Sequence, residues 1–165
     1  MSLISRTTGM LLILGVLAGC AMPASIKPNV TTASELMQRL GKPTDTRANP
    51  QGGEYWEYAY GPEGTETWLF GIDRGRMVRS STQLLTIEQL QRVVPGVSTE
   101  TQVQELLGAP RKITQFREEI AWEWRVDMSP NLGQFVVRFS PKGVVTGYNV
   151  LVDILSDSHE SDSGP

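Results

Sequence analysis

The sequence predicts an α+β protein of two tandem units, each a helix or helix pair followed by a three-stranded antiparallel sheet. Three observations carry that expectation. Blocks of residues recur in the same order about 67 positions apart. Within each block, apolar residues first recur at three and four, then alternate, the spacings of one helical face and one sheet face. Turn residues separate the alternating stretches. Helices are expected on one face of each sheet, where apolar side chains need cover.

The repeat is read directly. Leu40-Gly41-Lys42-Pro43 returns as Leu107-Gly108-Ala109-Pro110, and Trp56-Glu57-Tyr58 returns as Trp122-Glu123-Trp124. Trp68 to Ile72 followed by Gly75 is matched by Phe135 to Phe139 followed by Gly143. The units are placed at 31–82 and 86–153. In each, Thr31/Thr32 or Ser98/Thr99 caps a helix. Leu36, Met37 and Leu40, like Val103, Leu106 and Leu107, form its buried stripe. Gly41 and Gly108 suit a helix C-cap, and Pro43 and Pro110 prevent continuation. Unit two also has an earlier helix, from Ile87 to Val94.

A loop then leads to three strands. In the first, Trp56, Tyr58 and Tyr60, or Trp122, Trp124 and Val126, share one face. The second buries Trp68, Phe70 and Ile72, or Phe135, Val137 and Phe139. Asp73-Arg74-Gly75-Arg76 and Ser140-Pro141-Lys142-Gly143 read as hairpin turns into a third strand, which in unit two runs to Val152. The opposite sheet face is left open, so it is polar, pairs with the other unit or binds something.

The N-terminus reads as an export signal. Arg6 precedes the apolar run Met10–Ala18, which is about half the roughly 20 residues a membrane-crossing helix needs. Leu17-Ala18-Gly19-Cys20 resembles the bacterial lipobox. That resemblance implies removal of residues 1–19 and lipid on Cys20, with palmitate among the expected acyl chains. Ala21, where an Asp favours inner-membrane retention in enteric bacteria, implies the outer membrane with the domain facing the periplasm. Residues 20–30 read as a tether, and 154–165, acidic and serine-rich, as a disordered tail.

A net charge of -3 disfavours nucleic acid, because neutralising several phosphates takes a basic excess. The single Cys rules out an intrachain disulfide. The single His, His159, lies in the tail, so neither a zinc site nor a Ser-His-Asp triad can be assembled from histidines. No cofactor is implied, and the expectation is a protein that is not an enzyme.

Pro95-Gly96-Val97-Ser98, Val103 to Pro110, Trp122-Glu123-Trp124 and the Phe135–Gly143 hairpin together resemble the SmpA/OmlA (BamE-type) lipoprotein domain. The resemblance covers nearly all of unit two and, less fully, unit one. Two such units in tandem are similar to the fold of the β-lactamase inhibitory proteins. The first resemblance implies a scaffold or accessory subunit in outer-membrane protein assembly, with the barrel-assembly machinery as partner. The second implies the alternative, an inhibitor or modulator of a periplasmic or secreted enzyme.

Glu57 and Glu123 hold equivalent positions on the outward strand face, either as an acid/base pair or as a solvated face. With Tyr55, Arg125 and Arg138 they form the expected partner-binding set, since Tyr and Arg are enriched at interface hot spots.

Overall fold

Thr32 starts the first long helix through a reciprocal cap. Its hydroxyl accepts from the Glu35 N–H at 3.2 Å, and the Glu35 carboxylate accepts from the Thr32 N–H at 2.8 Å. The helix, α1, spans Ala33–Leu40, buries Ala33 and Leu36, and ends at Gly41 with φ 81° and ψ -158°, a conformation open in practice only to glycine. In the computed structural model, which describes residues 22–153, four antiparallel strands follow in spatial order: β1 (Asp45–Ala48), β2 (Glu54–Tyr60), β3 (Glu66–Ile72) and β4 (Val78–Gln83).

Unit two repeats the plan. A single turn, α2 (Ile87–Leu90), precedes α3 (Glu100–Leu107), which Thr99 and Gln102 cap as Thr32 and Glu35 cap α1. Next come β5 (Lys112–Gln115), β6 (Ile120–Met128), β7 (Asn131–Phe139) and β8 (Val145–Val152), again paired in order. The expected Ile87–Val94 helix stops at Leu90, and Val93 reaches the core from the turns beyond.

The expected fold class is corrected here. Among the described residues the fold is mostly β, 44% strand against 20% helix, and each sheet has four strands rather than three. The missing strand in each unit is the first, within the stretch read as a loop. Asp45-Thr46-Arg47-Ala48 and Lys112-Ile113-Thr114-Gln115 each lie at a sheet edge and bury no residue fully. Backbone pairing to β2 and β6, rather than an apolar face, holds them in the sheet.

The expected tether is shorter too. Pro23 and Ile26 are buried, and Ile26 belongs to the unit-one core, so that unit begins ahead of Thr31. Residues 1–21 and 154–165, which include the expected signal, Cys20 and the acidic tail with His159, lie outside the described residues.

The repeat extends to single hydrogen bonds. Gly41 N–H donates to Met37 O as Gly108 N–H does to Gln104 O, and Asn29 N–H donates to Val78 O as Gly96 N–H does to Val145 O. The Tyr58 hydroxyl donates to Gly41 O at 3.2 Å, and the Trp124 indole N–H to Gly108 O at 3.3 Å. Each aromatic thus ties its sheet to the end of its own helix. Burial pushes the Tyr58 phenol up to about 12, which keeps it a neutral donor through the physiological range.

Two cores result. Leu36, Trp56, Tyr58, Phe70, Ile72 and Val78 anchor one, and Val103, Leu107, Trp124, Val126, Phe135, Val137 and Phe139 anchor the other.

Candidate functional site

The outward face of the first sheet is not open. Strand alternation places Glu57 there with Tyr55 of the same strand, opposite Asp45 and Arg47 of β1 respectively. The end of α3 then covers it. Glu57 is only 3% exposed. One carboxylate oxygen accepts from the Ala109 N–H at 2.7 Å, and the other accepts from Arg47 Nη1 at 3.1 Å. A buried carboxylate is stable only with such partners. One comes from its own sheet and one from unit two, so Glu57 joins the units.

Gly108 makes the approach possible. A Cβ there would stand 2.6 Å from Thr67 Cγ2 and 2.8 Å from Glu57 Oε1, whereas one on the equivalent Gly41 would meet nothing within 4 Å. Both glycines hold the same left-handed backbone. Gly41→Ala is therefore expected to cost only the backbone strain, about 1–3 kcal/mol. Gly108→Ala adds a collision across the junction. Chemical denaturation of the two variants checks this, and equal losses would show that the junction tolerates the added methyl.

On the other side of the junction, Arg125 points outward from β6 and is 5% exposed. Its Nη2 donates to Asp153 Oδ2 at 2.6 Å. Its Nε lies 3.0 Å from Glu63 Oε2, close enough for an ion pair but outside hydrogen-bond alignment. Arg111 approaches the same Glu63 carboxylate at 3.4 Å. The Asp153 hydrogen bond, with the charges of Asp153, Glu63 and Glu123, holds the Arg125 guanidinium above its ordinary pKa, so it stays a cation despite burial. Glu63 sits in the turn between β2 and β3, and this second contact also runs between units.

The five residues expected to form one partner face are thus divided. Glu57 and Arg125 are consumed in the junction. Tyr55 lines a groove of about 550 Å³ between the first sheet and α3, shared with Arg47, Leu69, Gln104 and Glu105, and Arg47 lies 5.9 Å over its ring. Glu123 is half-buried, opposite Lys112 on the outward face of the second sheet. Arg138, on that same face, donates to Asn149 at 2.7 Å. Among the described residues, no group of three His, Cys, Asp or Glu side chains is placed to hold a metal.

Sequence reasoning missed the free edge of the second sheet. β8 was legible as a strand, yet its five final residues are all exposed, including Tyr148, Val150, Leu151 and Val152. Beside it, Ile87, Leu90, Met128, Phe135, Tyr148 and Val150 line a groove of about 180 Å³. The signal was present in the sequence, because Val145 to Val152 contains no charged residue.

Fold and surface together define a two-repeat, mostly β molecule with a polar junction groove and an uncharged free sheet edge. The chain matches no protein-family model and no curated protein. Among solved structures it is similar to the DUF4309 family protein YjgB from Bacillus subtilis subsp. subtilis str. 168, with 14% identity and a TM-score of 0.31 over 78% of this chain and 82% of that one. A likeness of that size carries no argument about fold or function.

Proposed function

We propose that this chain is a lipoprotein anchored through Cys20 at the outer membrane, where its periplasmic domain serves as a scaffold or accessory subunit in envelope assembly. It works by accepting an extended segment of a partner protein along β8. The observation that carries this reading is the character of that edge. A strand ending a sheet presents unpaired N–H and C=O groups, and proteins ordinarily guard such edges with charge, proline or brevity. The equivalent strand of unit one, β4, carries Arg79 and a run of Ser, Thr and Gln. β8 is eight residues long and uncharged, with Tyr148, Val150 and Val152 on its inward face and Leu151 beside Asn149 on the other. Backbone pairing would hold the added strand, and the Ile87–Val150 groove would take its alternate side chains.

Support for the anchor comes from the lipobox residues Leu17 to Cys20. No helix among the described residues is long and apolar enough to cross a membrane. Similarity of the Pro95–Pro110 stretch to SmpA/OmlA makes the barrel-assembly machinery the first partner to test.

In-cell crosslinking and affinity purification test the reading, with the native chain beside Val150→Lys and Cys20→Ser. A lysine at this edge position, where Val150 is 41% exposed beside Phe135, is expected to cost about 1 kcal/mol and leave the domain folded. It should nonetheless remove most of the co-purifying assembly subunits. Equal recovery from the native and Val150→Lys chains would exclude β8 as the binding edge. One soluble enzyme recovered from both the native and Cys20→Ser chains would favour the inhibitor reading instead.

A further inference from the structure

We infer that the N-terminal face of unit one, formed by Met22, the Lys27–Val30 turn and the side of α1 that carries Glu35 and Arg39, rests against the phospholipid surface. The inference depends on lipid attachment at Cys20 and adds to that reading an orientation for the domain.

Its first support is length. Pro23 and Ile26 are packed into the domain, so only Ala21 and Met22 separate the lipid-bearing residue from fixed structure. Three residue steps at full extension reach about 11 Å. The polar layer on each side of a bilayer is roughly 5–7 Å thick. Pro23 can therefore stand at most about 4–6 Å beyond the headgroups, little more than one layer of water. The surface around Pro23 is held next to them.

The second support is the distribution of apolar surface. Among the described residues of unit one, the large apolar side chains left exposed are Met22 (60%), Val30 (68%) and Met37 (39%). Met22 and Val30 fall in the first nine described residues, and Met37 lies on another side of α1. The repeat shows that the first two share a face. Met22 and Val30 are equivalent to Gln89 and Val97, which line one depression in unit two together with Gln102 and Leu106 of α3. Gln102 and Leu106 correspond in turn to Glu35 and Arg39 on α1.

Where unit two has polar Gln89, unit one has Met22, next to the anchor. Lys27 and Arg39 stand exposed around these side chains, as cations do where an apolar face meets headgroups. The Glu35 carboxylate is engaged by Thr32 at the helix cap.

The test uses the full-length lipoprotein reconstituted into phospholipid vesicles. With Cys20 acylated, an introduced cysteine is the only free thiol. A fluorophore is attached in turn to Val30→Cys and Leu151→Cys, and its quenching by a nitroxide on the lipid headgroup is compared. The label at 30 should be quenched several-fold more than the label at 151. A flexible Gly/Ser insert of about 20 residues after Ala21 should abolish the difference, because it frees the domain from the surface. Equal quenching at the two positions with the native tether would overturn the inference while leaving the anchor intact. A native chain that fails to float with the vesicles would remove both the anchor and the orientation built on it.

Discussion

Replacing Glu57 with alanine lowers the stability of the protein by about 3 kcal/mol and separates its unfolding into two transitions. The size follows from what the carboxylate holds. Removing one member of a buried ion pair commonly costs about 3–5 kcal/mol. The lower end applies here because Arg47 is 27% exposed and water solvates it once its partner is gone. The part-buried Ala109 N–H loses its carboxylate acceptor as well. The separation follows from topology. Each unit has its own core and its own sheet, and Glu57 is the carboxylate through which the first sheet receives the end of α3. Differential scanning calorimetry checks both parts. A single transition within about 2 °C of the native midpoint would mean that other contacts hold the units together. Glu57→Gln keeps an acceptor for Ala109 while removing the charge, so it should fall between the two.

Trp124→Ala unfolds unit two under conditions where unit one persists. The side chain is 1% exposed, lies 6.1 Å from the Trp122 ring and 6.4 Å from that of Phe135, and donates its indole N–H to Gly108 O. Truncating a buried Trp costs about 3–5 kcal/mol. The orphaned Gly108 carbonyl adds on the order of 1 kcal/mol. Against a usual total of about 5–15 kcal/mol, that is enough to remove a small unit from the folded population. Trp122→Ala is expected to act in the same direction with a smaller loss, since its ring is 8% exposed. Urea unfolding followed by circular dichroism distinguishes these outcomes. A Trp124→Ala midpoint equal to the native one would contradict the placement of this ring at the centre of the second core.

Much of the architecture was legible. Caps at Thr31/Thr32 and Ser98/Thr99, which the structure narrows to Thr32 and Thr99, Gly41 and Gly108 as helix ends, and the inward faces of four strands follow from residue type and spacing. The first strand of each sheet was not, for a physical reason. Asp45–Ala48 and Lys112–Gln115 are held by backbone pairing, and hydrogen bonds between main chains leave no mark on side-chain pattern. The junction was hidden for a related reason. Alternation shows that Glu57 faces away from its own core, but says nothing about what lies opposite. Solvent and a neighbouring unit both favour a polar residue there, provided the neighbour brings donors. β8 shows the converse limit: Tyr148 and Val150 resemble any buried strand until the sheet is seen to end beside them.

The way Gly108 and Ala109 seat on Glu57 has a direction. The helix end of a later unit enters the outward face of an earlier one, and nothing in that geometry closes on itself. Joins of this kind build open arrays unless something stops them. Here β5 changes the seat. Thr114 stands where unit one has Arg47, and Lys112 where it has Asp45, opposite Glu123 rather than Glu57. The second sheet thus carries its cation two residues away from the place where Arg47 closes on Glu57, and its outward face is not a copy of the berth that the first sheet offers.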